Sequence, residues 1–306
     1  MRALTVTLLK LLLFLWQRKT SRYKFPFSDS QFYFRSNPNF YFLGHTPYLA
    51  FESGVEHQIH SLFVHLLDSC KFRACRVMDI GMNAGYLSQL SVAMNAQVIG
   101  IEPQVDCHDL AFLAAQMNQW QDRMKTYVAG AWFSKMELEV ASSCNTGFQI
   151  SSRPKTKNKV STVIADDVIK SNGWSNINIV KIDTEGNFAR VKLLGAEVGV
   201  LRGLLKAIRS KLVDNFVIET VPHAWKNYGL SFEDGLNIFN EIEQQGYDFH
   251  ILFDDTEYSK EILGWERVLI NGITEEIILM PKGGAEVLFK DRAAKGSGTN
   301  LWIKRK

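Results

Sequence analysis

The sequence lacks the cysteine patterns of a metal-binding or disulfide-rich protein. It contains four cysteines, Cys70, Cys75, Cys107 and Cys144, and no two of them are spaced as C-x-x-C. Structural zinc sites and redox-active pairs use closely spaced thiols. We therefore expect no metal site, and the simplest interpretation is four thiols that are reduced or partly buried. A Cys70–Cys75 disulfide is the alternative if the protein lies in an oxidising compartment.

The sequence also lacks a strong excess of charge of either sign. Its formal net charge is +3, which is too small to indicate nucleic acid as a partner. Residues 1–24 hold six Lys and Arg and no acidic residue, so removing those six charges leaves about −3 for the rest of the chain. The basic character therefore belongs to the N-terminal segment.

No apolar run is long enough to span a bilayer comfortably. Ala3–Trp16 is apolar except for Thr5, Thr7 and Lys10, whereas a spanning helix needs about 20 such residues. A lysine near the middle of the segment adds to the cost of insertion. We expect this segment to associate with a membrane as a weak anchor, with an uncleaved signal sequence or an organelle-targeting leader as alternatives.

The chain divides into three predicted regions. Residues 1–24 form the hydrophobic and basic leader, and residues 25–70 form an aromatic-rich extension that ends in a helix predicted from Glu52 to Cys70. The aromatic stretch predicts a strap packed on the core, or else a lid that stacks on sugar rings. Residues 71–306 form the main domain.

The most informative stretch that is present is a glycine turn between two predicted strands. Val77–Ile80 is a short apolar run typical of a buried parallel strand, and Gly81 and Gly85 follow it. A predicted helix and a second strand, Val98–Ile101, lead to Glu102. An acidic residue about 20 residues beyond such a turn can hold ribose hydroxyls. The layout predicts a cofactor built on adenosine, with a plain glycine turn as the alternative.

The spacing of the glycines selects among such cofactors. A dinucleotide fingerprint has a middle glycine that lets the backbone approach a pyrophosphate, but here Met82 and Asn83 follow Gly81. Asp79 would repel a pyrophosphate, whereas it can accept hydrogen bonds from an ammonium group. A nicotinamide-dependent oxidoreductase is therefore disfavoured. S-adenosylmethionine, which carries a sulfonium, an ammonium and a ribose, is the expected cofactor.

Strands and helices alternate along the main domain. Further strands are predicted at 125–130, 160–164, 177–182 and 216–218, and helices at 106–118, 193–209 and 232–245. This alternation predicts an α/β fold with a doubly wound, Rossmann-like and mostly parallel sheet. Several short strands near the C-terminus indicate an antiparallel edge hairpin.

In an open α/β sheet, ligands bind beyond the carboxyl ends of the strands. The residues that fall at predicted strand ends, and that we expect to line one rim, are Asp79, Glu102, Gly130, Asp183 and Glu219. Their side chains and nearby backbone should therefore surround the cofactor and its partner in the reaction.

Each cofactor residue has an expected role. The turn from Gly81 to Gly85 should wrap the methionine part, with Asn83 as a hydrogen-bond donor. Glu102 should hold the ribose, and the backbone near Gly130 and Ala131 should meet the adenine edge.

The candidates for catalysis are two carboxylates and a histidine. Methyl transfer to an alcohol benefits from a base that takes the hydroxyl proton. Asp183 and Glu185 stand two residues apart just before Gly186, and His223 is a second candidate base. The alternative is that Asp183 caps the next helix and that Glu185 is a solvated acid in its first turn.

Three blocks of the sequence resemble the FkbM-type methyltransferases, a branch of the class I S-adenosylmethionine-dependent enzymes. Met78–Tyr86 is similar to the family's D-x-G-A-N-x-G-Y, Gly100–Pro103 to its F-E-P, and Val180–Gly186 to its K-I-D-x-E-G. The resemblance covers about residues 50–306. It implies a class I methyltransferase fold and O-methylation of a hydroxyl on a sugar, glycolipid or natural product.

The chain departs from that family pattern near the substrate side. Met82 stands where a small residue is usual, Phe188 where an acidic residue is common, and Val191–Gly195 is one residue longer than the pattern. Phe188 and the altered segment Val191–Gly195 motivate a second hypothesis of a different class. In it, the chain is a catalytically degenerate methyltransferase fold that serves as a binding or scaffold module at a membrane.

Overall fold

The computed structural model describes residues 57–70, 74–141, 157–184, 187–188, 191–192, 195–252, 258–270 and 277–306. The leader, the aromatic stretch, the start of the helix predicted at Glu52 and the candidate base Glu185 lie outside the described residues.

Helices and strands alternate through the described residues. The helices are α1 (His57–Ser69), α2 (Tyr86–Ala93), α3 (Val105–Met117), α4 (Ala165–Ser171), α5 (Glu197–Arg202), α6 (Leu205–Arg209), α7 (Phe232–Gln244), α8 (Lys260–Leu263) and α9 (Ala285–Lys295), with a 3-10 helix η1 (Pro222–Tyr228). The strands are β1 (Arg76–Ile80), β2 (Gln97–Glu102), β3 (Met124–Val128), β4 (Gly130–Ala131), β5 (Glu137–Ala141), β6 (Lys157–Val163), β7 (Ile177–Ile182), β8 (Asn187–Phe188), β9 (Val191–Lys192), β10 (Val213–Thr220), β11 (Tyr247–Leu252), β12 (Arg267–Val268), β13 (Ile277–Leu279) and β14 (Thr299–Arg305).

A nine-stranded sheet forms the centre of the described part, in the order β12-β13-β11-β14-β10-β7-β1-β2-β3. The five strands from β10 to β3 are parallel. Strand β14 lies antiparallel between β10 and β11, and β13 and β12 extend the edge as an antiparallel pair. The predicted doubly wound sheet with an antiparallel edge hairpin is confirmed, and the C-terminal strand β14 inserts inside the sheet.

Helices cover both faces of the parallel strands. On one face α1, α2 and α3 pack on a core that includes Val77 of β1 and Val98 of β2. On the other face α4 to α7 and α9 pack on a core that includes Met78 and Ile80 of β1. Because side chains alternate along each strand, the continuous apolar runs of β1 and β2 are buried on both faces.

One predicted helix is divided in two. The helix expected over 193–209 is α5 followed by α6, with the break at Gly203 and Leu204. The carbonyl of Gly203 accepts from the backbone N–H of Asp166, and the Asp166 carboxylate accepts from the N–H groups of Lys206 and Ala207. Asp166 therefore satisfies the first turn of α6 from a distant part of the chain, as a local cap would.

The interpretation of four reduced thiols is wrong, since none of the described cysteines, Cys107 included, is a free thiol. Cys70, at the end of α1, is joined to Cys75, just before β1, in a disulfide. The bond closes a short loop between the first described helix and the first strand. It matches the alternative expected for an oxidising compartment.

Candidate functional site

The carboxyl ends of the parallel strands meet at one rim. From β1 the chain continues to β2 and β3 on one side, while β7 and β10 lie on the other side. The order therefore reverses between β1 and β7, which is where open α/β sheets form a ligand crevice. The residues at this point are those of the glycine turn and the end of β7.

The glycine turn after β1 packs directly on the backbone at the end of β7. Gly81 has φ +78°, and a Cβ there would lie 1.7 Å from the carbonyl oxygen of Asp183. The N–H groups of Gly81 and Met82 donate to the carbonyl of Ile101 on β2, at 2.9 and 3.3 Å. Only glycine has both the left-handed backbone and the small volume that this turn requires.

Glu102 ends β2 with its carboxylate folded over the turn. One carboxylate oxygen, Oε2, accepts from the N–H of Asn83 at 2.9 Å, and Oε1 accepts from the N–H of Gln104 at 2.8 Å. The side chain is buried, and this burial raises its pKa to about 7 despite the two backbone hydrogen bonds. Each oxygen keeps a further lone pair for a hydroxyl donor. The N–H groups of Asn83 and Gln104 therefore fix the orientation of Glu102, the residue predicted to bind the ribose.

Asp79 lies under the turn as a buried carboxylate. Its Oδ2 accepts from the hydroxyl of Ser88 on α2 at 2.7 Å, and its Oδ1 is 3.8 Å from Nζ of Lys181. Among the described residues, none hydrogen-bonds to Oδ1. Burial raises the pKa of Asp79, and the charge of Lys181 opposes that shift. One oxygen of this carboxylate therefore has unused accepting capacity next to the crevice.

The candidate base Asp183 is tied to a lysine. It follows β7 directly, and its Oδ2 is 2.9 Å from Nζ of Lys181. The lysine side chain is buried and lies near both Asp79 and Asp183. The Asp183 carboxylate is therefore already engaged in a charge-assisted hydrogen bond with Lys181.

The two residues predicted at the adenine edge lie next to Glu102. Gly130 and Ala131 form β4, which pairs with β6 in a separate small sheet. The preceding residue, Ala129, donates its N–H to the carbonyl of Glu102. A Cβ at Gly130 would lie 2.5 Å from a methyl group of Leu138. The structure therefore brings this backbone to the end of β2, on the side of the rim away from β7.

His223 lies beyond the end of β10, three residues after Thr220. It is partly exposed in η1, and its Nδ1 is buried. The structure thus brings Asp79, the glycine turn, Glu102 and Asp183 together, and places His223 just after the end of β10.

Three polar partners at the rim were not among the residues predicted from the sequence. Ser88 donates a hydrogen bond to Asp79, and the N–H of Gln104 donates one to Glu102. The carboxylate of Glu197 accepts one from the N–H of Val221, just before η1. Ser88 and Glu197 come from helices whose packing against the strands had to be known first. Gln104 stands two residues after Glu102, where a turn back towards the carboxylate is a local signal.

The residues present fit an adenosyl and amino acid ligand. Glu102 offers lone pairs to a ribose diol, the tight turn exposes backbone instead of side chains, and Asp79 offers an oxygen to an ammonium. Lys181 and the two aspartates leave the site without an excess of positive charge, which suits a cationic ligand.

The Met82 side chain fills space in the core next to Gly100, and this contact leads to a stability prediction. Its sulfur would lie 2.3 Å from a Cβ on Gly100, and its side chain is buried. We expect Gly100→Ala to destabilise the protein by about 1–3 kcal/mol through overpacking. Met82→Ala alone should also destabilise it, by leaving a cavity. In the double variant the two costs should partly cancel. Urea unfolding of the four proteins measures this coupling, and strictly additive losses would contradict the contact.

Comparison with known proteins finds structures but no family. No protein-family model and no curated protein matches the chain. It is similar to the METTL16 methyltransferase domain (11% identity, 81% of this chain, 65% of that one, TM-score 0.40). It is also similar to the N-terminal domain of human METTL16 in complex with SAH (16% identity, 54% of this chain, 53% of that one, TM-score 0.33). A third similar structure is an S-adenosylmethionine-dependent methyltransferase from Agrobacterium tumefaciens (10% identity, 82% of this chain, 62% of that one, TM-score 0.41). The chain thus spans about half to two thirds of these structures.

The strand order and register define the fold class. A parallel β3-β2-β1-β7-β10 sheet with an antiparallel β14 between β10 and β11 is a Rossmann-like α/β fold.

Proposed function

We propose that the chain is an S-adenosylmethionine-dependent methyltransferase that O-methylates a hydroxyl group of a sugar, glycolipid or natural product. The observation that carries the cofactor part is the pair of hydrogen bonds from Asn83 and Gln104 to Glu102. They orient a buried carboxylate beside a glycine turn, at the point where the strand order reverses.

The proposed cofactor contacts follow from this geometry. Glu102 accepts from the ribose, the Gly81–Gly85 backbone with Asn83 surrounds the methionine part, and Asp79 accepts from the ammonium. The Gly130–Ala131 backbone meets the adenine edge. When bound, the cofactor supplies a methyl group that is already activated on a sulfonium, so the chain needs mainly to align the acceptor and receive its proton.

His223 is the favoured base among the described candidates. Asp183 is occupied by Lys181 at 2.9 Å, whereas His223 is partly exposed at the rim beyond β10. A neutral imidazole accepts a proton at physiological pH, which a hydroxyl acceptor releases as it is methylated.

The acceptor class rests on the resemblance to the FkbM-type family. Its first two blocks fall at β1 with the turn and at the end of β2, and the described part of the third is the end of β7 with Asp183 and Thr184. These described residues lie at the proposed site. We propose membership of that family on this basis.

The second hypothesis, a degenerate scaffold at a membrane, is favoured by one observation. The carboxylate of Asp183 is neutralised by Lys181 and not left free for chemistry. Under this hypothesis the protein binds the cofactor and transfers no methyl group.

Transfer of labelled methyl groups separates the two hypotheses. The full chain is incubated with S-adenosylmethionine carrying a tritiated methyl group and a panel of methyl glycosides, glycolipids and hydroxylated natural products. We expect a labelled methyl ether from at least one acceptor, and a loss of about 100-fold or more in kcat for His223→Ala with unchanged cofactor affinity. Cofactor binding without a labelled product across the panel would favour the scaffold.

Membrane association through residues 3–16 stays a proposal, since they lie outside the described residues. Within the described ranges, no helix has the length and apolar character needed to cross a bilayer. Flotation of the full chain with liposomes, compared with a variant carrying Leu11→Asp and Leu12→Asp, tests the proposal. Equal flotation of the two proteins would contradict it.

A further inference from the structure

The turn that carries His223 is held by a buried carboxylate. Glu197, the first residue of α5, is 1% exposed. Its Oε1 accepts from the backbone N–H of Val221 at 2.8 Å and from the indole Nε1–H of Trp225 at 2.6 Å. These donors stand two residues before and two residues after His223, so one oxygen atom fixes both sides of the histidine.

The same turn is anchored in the core on its inner side. The Trp225 ring is fully buried and packs on Phe239 and Phe289 with centroid distances of 6.3 and 5.3 Å. A Cβ at Gly235 would lie 2.2 Å from that ring. Gly195, two residues before α5, also approaches this turn closely, since a Cβ there would lie 2.7 Å from the carbonyl carbon of Ala224. The backbone around His223 therefore has little freedom to move.

A carboxylate is a costly choice for this position. Among the described residues no lysine or arginine lies within ion-pair distance of Glu197, and burial raises its pKa. A buried carboxyl group without a cation lowers stability unless its hydrogen bonds offset the lost hydration. Hydrogen bonds to an ionised acceptor are shorter and stronger, which is consistent with the 2.6 Å contact.

Within the described part of the chain, the buried Nδ1 of His223 has no hydrogen-bond partner. A histidine held firmly at a site rim, with an unused ring nitrogen, is available for binding or proton transfer.

We infer that Glu197 is a positioning residue, which holds the Val221–Trp225 turn so that His223 can take the proton of the acceptor hydroxyl. This inference rests on the proposed function. In the step, the acceptor oxygen forms a bond to the methyl carbon and loses its proton to the His223 ring. The carbon–sulfur bonding pair stays with sulfur, which leaves as a neutral thioether. No further reactant is needed.

The test reads His223 directly. Ring nitrogen–proton correlations are recorded by NMR on the full chain with ¹⁵N-labelled histidine, for the wild type, Glu197→Gln, Glu197→Ala and Trp225→Phe. His223→Ala assigns the signal, and the His250 ring, which lies in β11, is the internal control. S-adenosylhomocysteine affinity is measured on each protein as a separate readout of the cofactor site.

We expect Glu197→Gln to retain the His223 ring shifts, because its amide oxygen can accept both hydrogen bonds. Glu197→Ala should move the His223 signal towards that of a free imidazole and leave the His250 signal and the S-adenosylhomocysteine affinity within about twofold. Trp225→Phe removes one donor and keeps an aromatic ring, so it should give a smaller shift in the same direction even if Glu197→Ala fails to fold.

The two claims fail separately. An unchanged His223 signal in Trp225→Phe, together with an unchanged signal in a folded Glu197→Ala, would overturn the positioning role alone. Loss of the wild-type His223 shifts in Glu197→Gln would also overturn it, since this conservative variant should keep both hydrogen bonds to the turn. Absence of S-adenosylhomocysteine binding by the wild type would instead overturn the proposed function.

Discussion

Gly81→Ala is expected to abolish measurable binding of S-adenosylhomocysteine, with a loss of at least about 100-fold in affinity. The new Cβ would lie 1.7 Å from the carbonyl oxygen of Asp183, which is backbone and cannot rotate away. The φ of +78° adds a strain of about 1–2 kcal/mol for a residue with a side chain. The turn and the end of β7 must therefore separate, and the proposed cofactor site opens with them.

Gly173→Ala provides the matched control for this variant. Gly173 also has a positive φ, +65°, but a Cβ there meets nothing within 4 Å. It should lose only the strain energy, about 1 kcal/mol, and keep its affinity for S-adenosylhomocysteine. Calorimetry gives the affinity and thermal unfolding the stability. Equal effects of the two substitutions would show that the contact with Asp183 has no role in the site.

The affinity for S-adenosylhomocysteine is expected to rise about tenfold between pH 6 and pH 8. Glu102 must be ionised to accept from the ribose while it accepts from Asn83 and Gln104, and burial raises its pKa to about 7. If only the ionised form binds, the fraction competent to bind rises about tenfold over this range. Calorimetry at several pH values measures the slope.

Glu102→Gln tests the origin of that slope. The amide keeps the size of the side chain and does not titrate, so its affinity should be lower at pH 8 and nearly independent of pH. A wild-type slope that persists in Glu102→Gln would assign the titration to another group. Burial also raises the pKa of Asp79 and Glu197, so the comparison of wild type with this variant isolates Glu102.

The raised pKa of Glu102 has the opposite effect on the stability of the free protein, whose free energy of unfolding falls as pH rises. A carboxyl whose pKa is raised in the folded state stabilises the fold below its unfolded pKa, and this contribution is lost as pH rises through the folded value. For Glu102 the window runs from about 4.5 to about 7, and the loss is about 3 kcal/mol. In urea unfolding measured between about pH 4.5 and pH 7, Glu102→Gln should therefore show a smaller decline in the free energy of unfolding than the wild type.

The fold follows closely from local patterns in the sequence. The apolar runs of β1 and β7 have the length and continuity of strands buried on both faces, and Gly81 marks the turn after the first. The helix break at Gly203 was not predictable in this way, because it depends on Asp166 from α4. The interior place of β14 depends likewise on pairing between distant strands.

The site residues also divide into those predictable from local sequence and those that depend on tertiary packing. The positions of Gly81 and Glu102 at the rim depend on backbone geometry and strand ends, and were predictable from spacing alone. The link from Ser88 to Asp79 and the bonds from Val221 and Trp225 to Glu197 arise only when helices dock on the sheet. Sequence spacing carries no record of such contacts, since the partners are set by tertiary packing.

Titration of the full chain with S-adenosylhomocysteine at pH 8, by calorimetry, tests the proposed cofactor site most directly. We expect one site per chain with a dissociation constant in the micromolar range, binding abolished in a folded Glu102→Ala, and no heat of binding from NAD⁺. A folded wild-type protein that binds no S-adenosylhomocysteine, or a Glu102→Ala variant that binds it as tightly as the wild type, would contradict the account.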